Sequence, residues 1–125
     1  MSNSRFILHD AVADYIGDHT TPPSELEQRL IDETSQLANA GMQISFPQAR
    51  FMSLLTHLLQ PRFAVEIGTF TGYSALVVAQ ALPADATLLA CDVSDEWTSV
   101  GRPARGAARV AGEMEHRKGP PAATR

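Results

Sequence analysis

The 125-residue sequence predicts an α/β fold with a parallel sheet, and three observations lead to that prediction. Two short apolar runs, FAVEIG from Phe63 and TLLACD from Thr87, have the composition of buried parallel strands. A glycine-containing loop and a helix-forming segment lie between them, which makes a βαβ unit with an expected right-handed crossover. Three segments of helical periodicity come first. We therefore predict an incomplete Rossmann-like domain, with N-terminal helices and the first two or three parallel strands.

The first two helices are predicted within SRFILHDAVADYIGDH and TTPPSELEQRLIDETSQLANAG. The first has apolar residues at roughly helical spacing: Phe6, Ile7, Val12 or Ala13, and Ile16. In the second, Ser24 and Glu27 have the spacing of a capping box. One face of this second helix carries Leu26, Leu30, Thr34 and Leu37. Gly41 is expected to end it in the left-handed conformation.

The third helix is predicted within ISFPQARFMSLLTHLLQP, where Ser45 and Gln48 form a second candidate capping box. Pro61 is expected to stop this helix. Its apolar stripe is the candidate packing face and consists of Phe51, Leu54, Leu55, Leu58 and Leu59.

After the first strand, GYSALVVAQALP predicts a helix closed by Pro83. Ser94 is placed to cap a further helix through DEWTSVGRP, which Pro103 should make fray or kink.

We divide this single domain into a helical segment at 1–61, a βαβ unit at 62–103 and a degenerate basic tail at 104–125. In that tail, EMEHRK is too polar for a buried strand, so a solvated or poorly folded end is expected.

Composition limits the classes of function. The chain is 44% hydrophobic and 19% charged, as in soluble domains, and it has neither a bilayer-length apolar run nor a signal peptide, so a cytoplasmic protein is expected. The single cysteine, Cys91, excludes an internal disulfide. The net charge of −4 combines an acidic body with a basic tail that lacks aromatic residues. An acidic body argues against nucleic acid as the main partner.

The segment EIGTFTGYS, followed by Asp92, predicts a ligand site at the carboxyl ends of the strands. Glycine at Gly68 and Gly72 allows positive φ and a close approach of the ligand to the main chain. Phe70 takes the place of the second glycine of a dinucleotide fingerprint, and Glu66 would repel phosphate. Asp92 is placed to accept hydrogen bonds from ribose hydroxyls. These features favour a phosphate-free, cationic nucleoside such as S-adenosylmethionine, and they disfavour a nicotinamide enzyme.

EIGTFTGYS, CDVSDEW and AGMQISFPQARFMSLL together resemble motifs of the cation-dependent O-methyltransferases, the family of caffeoyl-CoA and catechol O-methyltransferases. The resemblance implies a fold of the S-adenosylmethionine-dependent methyltransferase type. It also implies that the loop from Met42 to Ser45 and the acid at Glu66 lie at the methionine end of the cofactor, and that Asp92 holds the ribose. Trp97 is expected to pack beside the adenine. The complete set of implied cofactor-binding residues is Met42, Ser45, Glu66, Gly68, Phe70, Gly72, Tyr73, Ser74 and Asp92.

Structural roles remain alternatives for several of these residues. Glu66 could cap the following helix, and Asp92 could be a simple turn residue. Met42 and Phe70 could pack in the core, while Tyr73 and Ser74 could serve only in capping and packing. The four histidines are scattered, without the spacing of metal ligands: His9, His19, His57 and His116.

The resemblance implies methyl transfer to a catechol-like or phenolic hydroxyl of a small-molecule acceptor, with no membrane partner and with homodimer formation expected. It also implies a magnesium ion, whose ligands in the family follow the third strand and are absent from this sequence. We therefore expect no catalytic or metal-binding residue here, and we interpret the chain as a C-terminally truncated or frame-disrupted member. The alternative function is an inactive module that binds the cofactor or a partner without catalysing methyl transfer.

Overall fold

A computed structural model of the chain describes residues 9–107 and 113–118. Phe6 and Ile7 of the predicted first helix lie outside these residues. The helices are α1 (Asp10–Asp18), α2 (Glu25–Ser35), α3 (Phe46–Leu59), α4 (Tyr73–Ala81), α5 (Asp95–Val100) and α6 (Arg102–Ala107), with a 3-10 turn at Ala40–Met42. The strands are β1 (Phe63–Ile67), β2 (Thr87–Asp92) and β3 (Glu113–Lys118).

The strands form one parallel sheet in the order β1-β2-β3, which confirms the predicted α/β fold. Val65 pairs with Leu89 between β1 and β2, and Leu89 pairs with Glu115 between β2 and β3. The segment EMEHRK is thus a strand, although its polarity predicted a poorly folded end. An edge position explains the difference, because a strand there needs backbone pairing on one side only.

Helix α4 is the centre of the core. One cluster joins it to the sheet and consists of Ala75, Ala79, Leu82, Ala86, Leu88 and Ala90. A second cluster joins it to α2 and α3 and consists of Leu30, Ala49, Tyr73, Leu76 and Val77. The many alanines allow close approach of the helix to both layers, so the loop that begins α4 is held between the sheet and the N-terminal helices.

Two predicted packing surfaces are exposed instead. Helix α3 buries Ala49 and Thr56, whereas its apolar stripe faces outward, with Leu58 72% and Leu59 74% exposed. Strand β1 alternates between exposed and half-buried residues and is therefore not the buried strand that was expected. Both predictions were wrong for one reason: apolar periodicity identifies a face that can be buried, but the neighbouring element decides whether it is.

Several local signals were correct. The backbone N–H of Glu27 donates to Ser24 Oγ (3.3 Å), and that of Ser24 donates to Glu27 Oε2 (2.6 Å), which completes the predicted capping box. Ser45 and Ser94 also cap α3 and α5. The prediction for Gly41 was wrong, because α2 already ends at Ser35 and Gly41 lies in the following 3-10 turn.

The break near Pro103 comes earlier than expected. Helix α5 ends at Val100, Gly101 follows, and α6 begins at Arg102. Pro103 is then the second residue of α6, where its missing N–H has no intrahelical partner to lose. The proline therefore starts a new helix rather than distorting the old one. Among the described residues, no helix has the length and apolar character needed to cross a bilayer.

Candidate functional site

The loop from Gly68 to Gly72 joins β1 to α4 and depends on left-handed backbone conformations. Gly68 has φ of +85° and Gly72 has φ of +96°, as the sequence predicted for these glycines. Phe70 has φ of +52°, which is unusual for a residue with a side chain. Its N–H donates to Asp92 Oδ2 (2.7 Å), and its ring meets the Trp97 ring edge-on at 5.4 Å. These contacts hold Phe70 in a strained conformation.

Asp92 connects the ends of β1 and β2. Its side chain is buried, Oδ2 accepts the N–H of Phe70, and Oδ1 accepts the N–H of Ser94 (2.9 Å). Each carboxylate oxygen has a second lone pair that can accept a further hydrogen bond. Asp92 therefore organises the loop, as the turn interpretation proposed, and it also keeps acceptor capacity for a ligand.

Two adjoining cavities lie at this end of the sheet and share Met42 and Gly68 in their walls. The larger has a volume of about 250 Å³ and is lined by Met42, Ile67, Gly68, Cys91, Asp92, Val93 and Trp97. The smaller has a volume of about 50 Å³ and is lined by Met42, Gln43, Ile44, Gly68, Thr69, Phe70, Thr71, Tyr73 and Ser74. A mostly apolar cavity with one carboxylate suits a nucleoside.

The structure brings six of the nine predicted site residues to these walls: Met42, Gly68, Phe70, Tyr73, Ser74 and Asp92. Trp97 joins them in the larger cavity. The other three line neither cavity. Ser45 caps α3, Gly72 is the N-cap residue of α4, and Glu66 lies in β1 with its Oε1 atom buried. Six of the nine residues predicted from the sequence thus lie together at the candidate site, and three do not.

Gln43 is a site residue that the sequence analysis missed. Its Oε1 atom is buried and accepts no hydrogen bond from the described residues, yet the side chain lines the smaller cavity. A buried acceptor without a donor is costly, so this atom indicates a ligand with an N–H or O–H group. The available signal was its position in the loop from Met42 to Ser45, which the resemblance places at the cofactor. The direction of its side chain depends on the 3-10 turn, which the sequence did not predict.

A polar network of Glu27 and Arg50 lies close to Tyr73, which lines the smaller cavity. Glu27 is 1% exposed and accepts hydrogen bonds from Ser24 and from the guanidinium of Arg50. Arg50 also donates to the carbonyl oxygens of Thr21 (3.0 Å) and Pro22 (3.4 Å). Burial, with a smaller contribution from Glu27 that Arg50 partly offsets, raises the pKa of Tyr73. Tyr73 therefore stays neutral at physiological pH and can present a hydroxyl group at the cavity.

A buried pair of threonines ties the loop to α2. Thr34 donates its hydroxyl proton to the carbonyl of Leu30 (2.7 Å), so the hydroxyl of Thr71 donates to Thr34 Oγ1 (2.8 Å). We expect Thr71→Val to lower the free energy of unfolding by about 1–2 kcal/mol, because the Thr34 oxygen loses its donor. Chemical denaturation measures the loss.

A double-mutant cycle with Thr34→Val is the control for this prediction. Since each single change breaks the same hydrogen bond, the double variant should lose less stability than the two single losses added together. Additive losses would show that the two hydroxyl groups do not interact.

Comparisons with known proteins agree with the geometry. A sequence model of the O-methyltransferase family matches residues 18–124. Caffeoyl-CoA O-methyltransferase 2 from Petunia hybrida is 36% identical over 122 residues, which are 96% of this chain and 50% of the relative. Tricin synthase 1 from Oryza sativa subsp. japonica is 34% identical over 94% of this chain and 48% of its own length.

A solved structure shows the same similarity. The O-methyltransferase TomG from Streptomyces achromogenes, in complex with S-adenosylmethionine, has a TM-score of 0.72 and 27% identity, over 93% of this chain and 52% of TomG. The chain thus spans about half the length of the curated relatives it matches.

Proposed function

Because this chain belongs to the O-methyltransferase family, we propose that it binds S-adenosylmethionine and contributes to methyl transfer onto a phenolic or catechol-like hydroxyl. One observation carries the proposal: the Asp92 carboxylate and the Gly68–Gly72 loop meet at two adjoining cavities. Glycine backbone at the end of a strand, with an acid at the end of the next, is the arrangement that binds a ribose in open α/β sheets.

The residues at the cavities fit the parts of this cofactor. Asp92 would accept hydrogen bonds from the ribose hydroxyls with the lone pairs that the backbone leaves open. Trp97 lies in the same wall and would pack beside the adenine. The buried Oε1 of Gln43, in the smaller cavity with Ser74, would accept a hydrogen bond from the ammonium group at the methionine end. Glu66 lines neither cavity, but from its place in β1, two residues before Gly68, it would add negative charge near that cationic end.

The cofactor supplies an activated methyl group, and the residues of this chain bind and orient it. An in-line transfer needs the acceptor oxygen close to that methyl group, so a fixed cofactor position is the main contribution of this half of the site. Among the described residues, no group of three or more His, Cys, Asp or Glu side chains could hold a metal ion. We therefore assign no metal-dependent step to these residues.

The acceptor class is supported by the relatives. One relative is named for caffeoyl-CoA, whose caffeoyl group carries two neighbouring phenolic hydroxyls, and TomG is described as involved in tomaymycin synthesis. We propose a small phenolic acceptor on this basis. The relatives carry about as many residues again outside the matched region.

Titration calorimetry with S-adenosylmethionine tests cofactor binding. We expect saturable binding of S-adenosylmethionine and S-adenosylhomocysteine, and much weaker binding of NAD, because the larger cavity offers a carboxylate and few donors for a pyrophosphate. Tighter binding of NAD, or no saturable binding of S-adenosylmethionine, would contradict the proposal.

A methyl-transfer assay with catechol and magnesium then tests the chemistry. Methylated product would establish the activity in this chain. Binding without product would instead assign the chain the role of a cofactor-binding module, since the cavities would be functional and the transfer step would not.

A further inference from the structure

Thr71 lies in the middle of the loop between β1 and α4, with a left-handed residue on each side. Phe70 before it has φ of +52°, and Gly72 after it has φ of +96°. For a residue with a side chain, such as Phe70, this conformation persists only where the surrounding structure enforces it. The shape of the loop therefore depends on the contacts that fix its middle residue.

Two segments outside the loop hold Thr71. Its hydroxyl donates to Thr34 Oγ1 on α2 (2.8 Å), and a Cβ atom added at Gly101 would lie 1.7 Å from its carbonyl oxygen. The side chains of Thr34 and Thr71 are both buried. Because water does not reach this pair, it cannot replace the hydrogen bond when one partner is removed.

The Thr34 hydroxyl is itself fixed in direction. It donates its only proton to the carbonyl of Leu30 (2.7 Å), one turn earlier in α2, so its oxygen is the acceptor for Thr71. Leu30 packs in the core cluster with Tyr73 and Leu76 of α4. The acceptor is therefore attached to a helix that is packed firmly beside the loop.

The residues next to Thr71 form walls of both cavities. Thr71 lines the smaller cavity together with Tyr73 and Ser74, the first two residues of α4. Backbone N–H groups in the first turn of a helix have no acceptor within that helix, so they can donate to a ligand. On the other side of Thr71, the Phe70 ring meets Trp97, which lines the larger cavity. A displacement of Thr71 would thus change both cavities.

We infer that Thr34 is a positioning residue for cofactor binding: its hydroxyl holds Thr71 in place, so that the loop keeps the shape that binds S-adenosylmethionine. Thr34 itself lines neither cavity. This role rests on the function proposed above, because it concerns the cofactor of that function. Without the hydrogen bond, the strained loop occupies its binding shape for a smaller fraction of the time, and the apparent affinity falls by that fraction.

Calorimetry with S-adenosylmethionine tests this role. We expect Thr34→Val to bind about five- to tenfold more weakly than the native chain, the effect of losing one hydrogen bond that stabilises the binding shape. Thr34→Ser keeps the hydroxyl and should bind within about twofold of the native chain. Thr34→Ala also removes the hydroxyl but favours a helix, so it gives the same test if circular dichroism shows that the valine variant is unfolded.

Thr56→Val is the matched control. Thr56 is also a buried helical threonine, and its hydroxyl donates to the carbonyl four residues earlier, that of Met52 (2.8 Å). This bond stays within α3, and Thr56 lines neither cavity. Thr56→Val should therefore lower stability while the affinity for S-adenosylmethionine stays at the native value.

Tryptophan fluorescence reports the shape of the loop without any cofactor. Trp97 is the only tryptophan of the chain, and its ring meets that of Phe70, the neighbour of Thr71. We expect a red shift of the emission in Thr34→Val, because Phe70 moves away and water takes its place. Thr34→Ser and Thr56→Val should keep the native emission.

The outcomes separate this role from the proposed function. If the native chain shows no saturable binding of S-adenosylmethionine, the proposed function fails and the role of Thr34 fails with it. If the native chain binds, but Thr34→Val and Thr34→Ala bind within about twofold of it, only the role of Thr34 is overturned. Equal losses of affinity in Thr34→Val and Thr56→Val, or an unchanged Trp97 emission in Thr34→Val, would overturn it as well.

Discussion

Replacing Gly101 with alanine is expected to lower the free energy of unfolding by about 4 kcal/mol or more, among the largest effects of a single substitution. A Cβ atom at this position would lie 1.7 Å from the carbonyl oxygen of Thr71 and 2.9 Å from its carbonyl carbon. Both atoms belong to the backbone of the glycine loop, so no side-chain rotation can relieve the clash. Either the loop or the junction between α5 and α6 must move.

The requirement for glycine here is one of space and not of conformation. Gly101 has φ of −80° and ψ of −5°, which any residue can adopt. Because the clash involves Thr71, Gly101→Ala should also weaken cofactor binding if the chain stays folded. Urea denaturation measures the loss of stability, and calorimetry with S-adenosylmethionine measures the effect on the site.

Gly17→Ala is the matched control. Gly17 lies within α1, and a Cβ atom there would meet no atom within 4 Å. Alanine should therefore be neutral or stabilise the helix by up to about 1 kcal/mol. Equal denaturation midpoints for Gly101→Ala and the native chain would contradict the close approach of the two segments.

Removing the carboxylate of Asp92 is expected to weaken S-adenosylmethionine binding by about 100-fold or more. A hydrogen bond to a charged group contributes about 1.5–3 kcal/mol, and Asp92 would accept two from the ribose. Asp92→Ala also releases the N–H groups of Phe70 and Ser94, so Phe70 would no longer be held at positive φ. Calorimetry gives the affinity, and circular dichroism establishes that the variant is folded.

Asp92→Asn should weaken S-adenosylmethionine binding nearly as much, although the asparagine side chain has almost the same shape as aspartate. Both carboxylate oxygens accept backbone N–H groups, and an amide offers only one acceptor for these two donors. Glu96→Gln is the control, because it removes an exposed acid on the adjacent helix α5 without touching the cavities. Affinity within about threefold of the native value for Asp92→Ala would rule out the ribose role.

The sequence predicted the elements that depend on near neighbours along the chain. The capping box of Ser24 and Glu27, the serine caps of α3 and α5, and the positive φ of Gly68 and Gly72 were all correct. The physical reason is that each of these features satisfies backbone groups or conformations within a few residues. The resemblance to O-methyltransferases, which came from such short motifs, was confirmed by the family match.

Predictions that depended on distant partners were less successful. The apolar stripe of α3 and the strand β1 were expected to be buried, but the stripe is exposed and β1 alternates between exposed and half-buried residues. Gly41 was expected to end α2, but the chain leaves that helix six residues earlier and continues into the 3-10 turn that aims Gln43 at the cavity. The local sequence pattern does not distinguish a buried apolar face from an exposed one, or an α2 that ends at Ser35 from one that continues to Gly41.

By itself the sequence determined the type of fold and the approximate places of most helices and strands, and it predicted a candidate site at the carboxyl ends of β1 and β2. Tertiary structure alone decided that Asp92 holds Phe70 in its strained conformation and that Gly101 passes against Thr71. Propensity and capping act over one or two turns of the chain, where residues that are close in sequence are also close in space. Contacts between segments arise only once the sheet has brought residues 70 and 92, or 71 and 101, together.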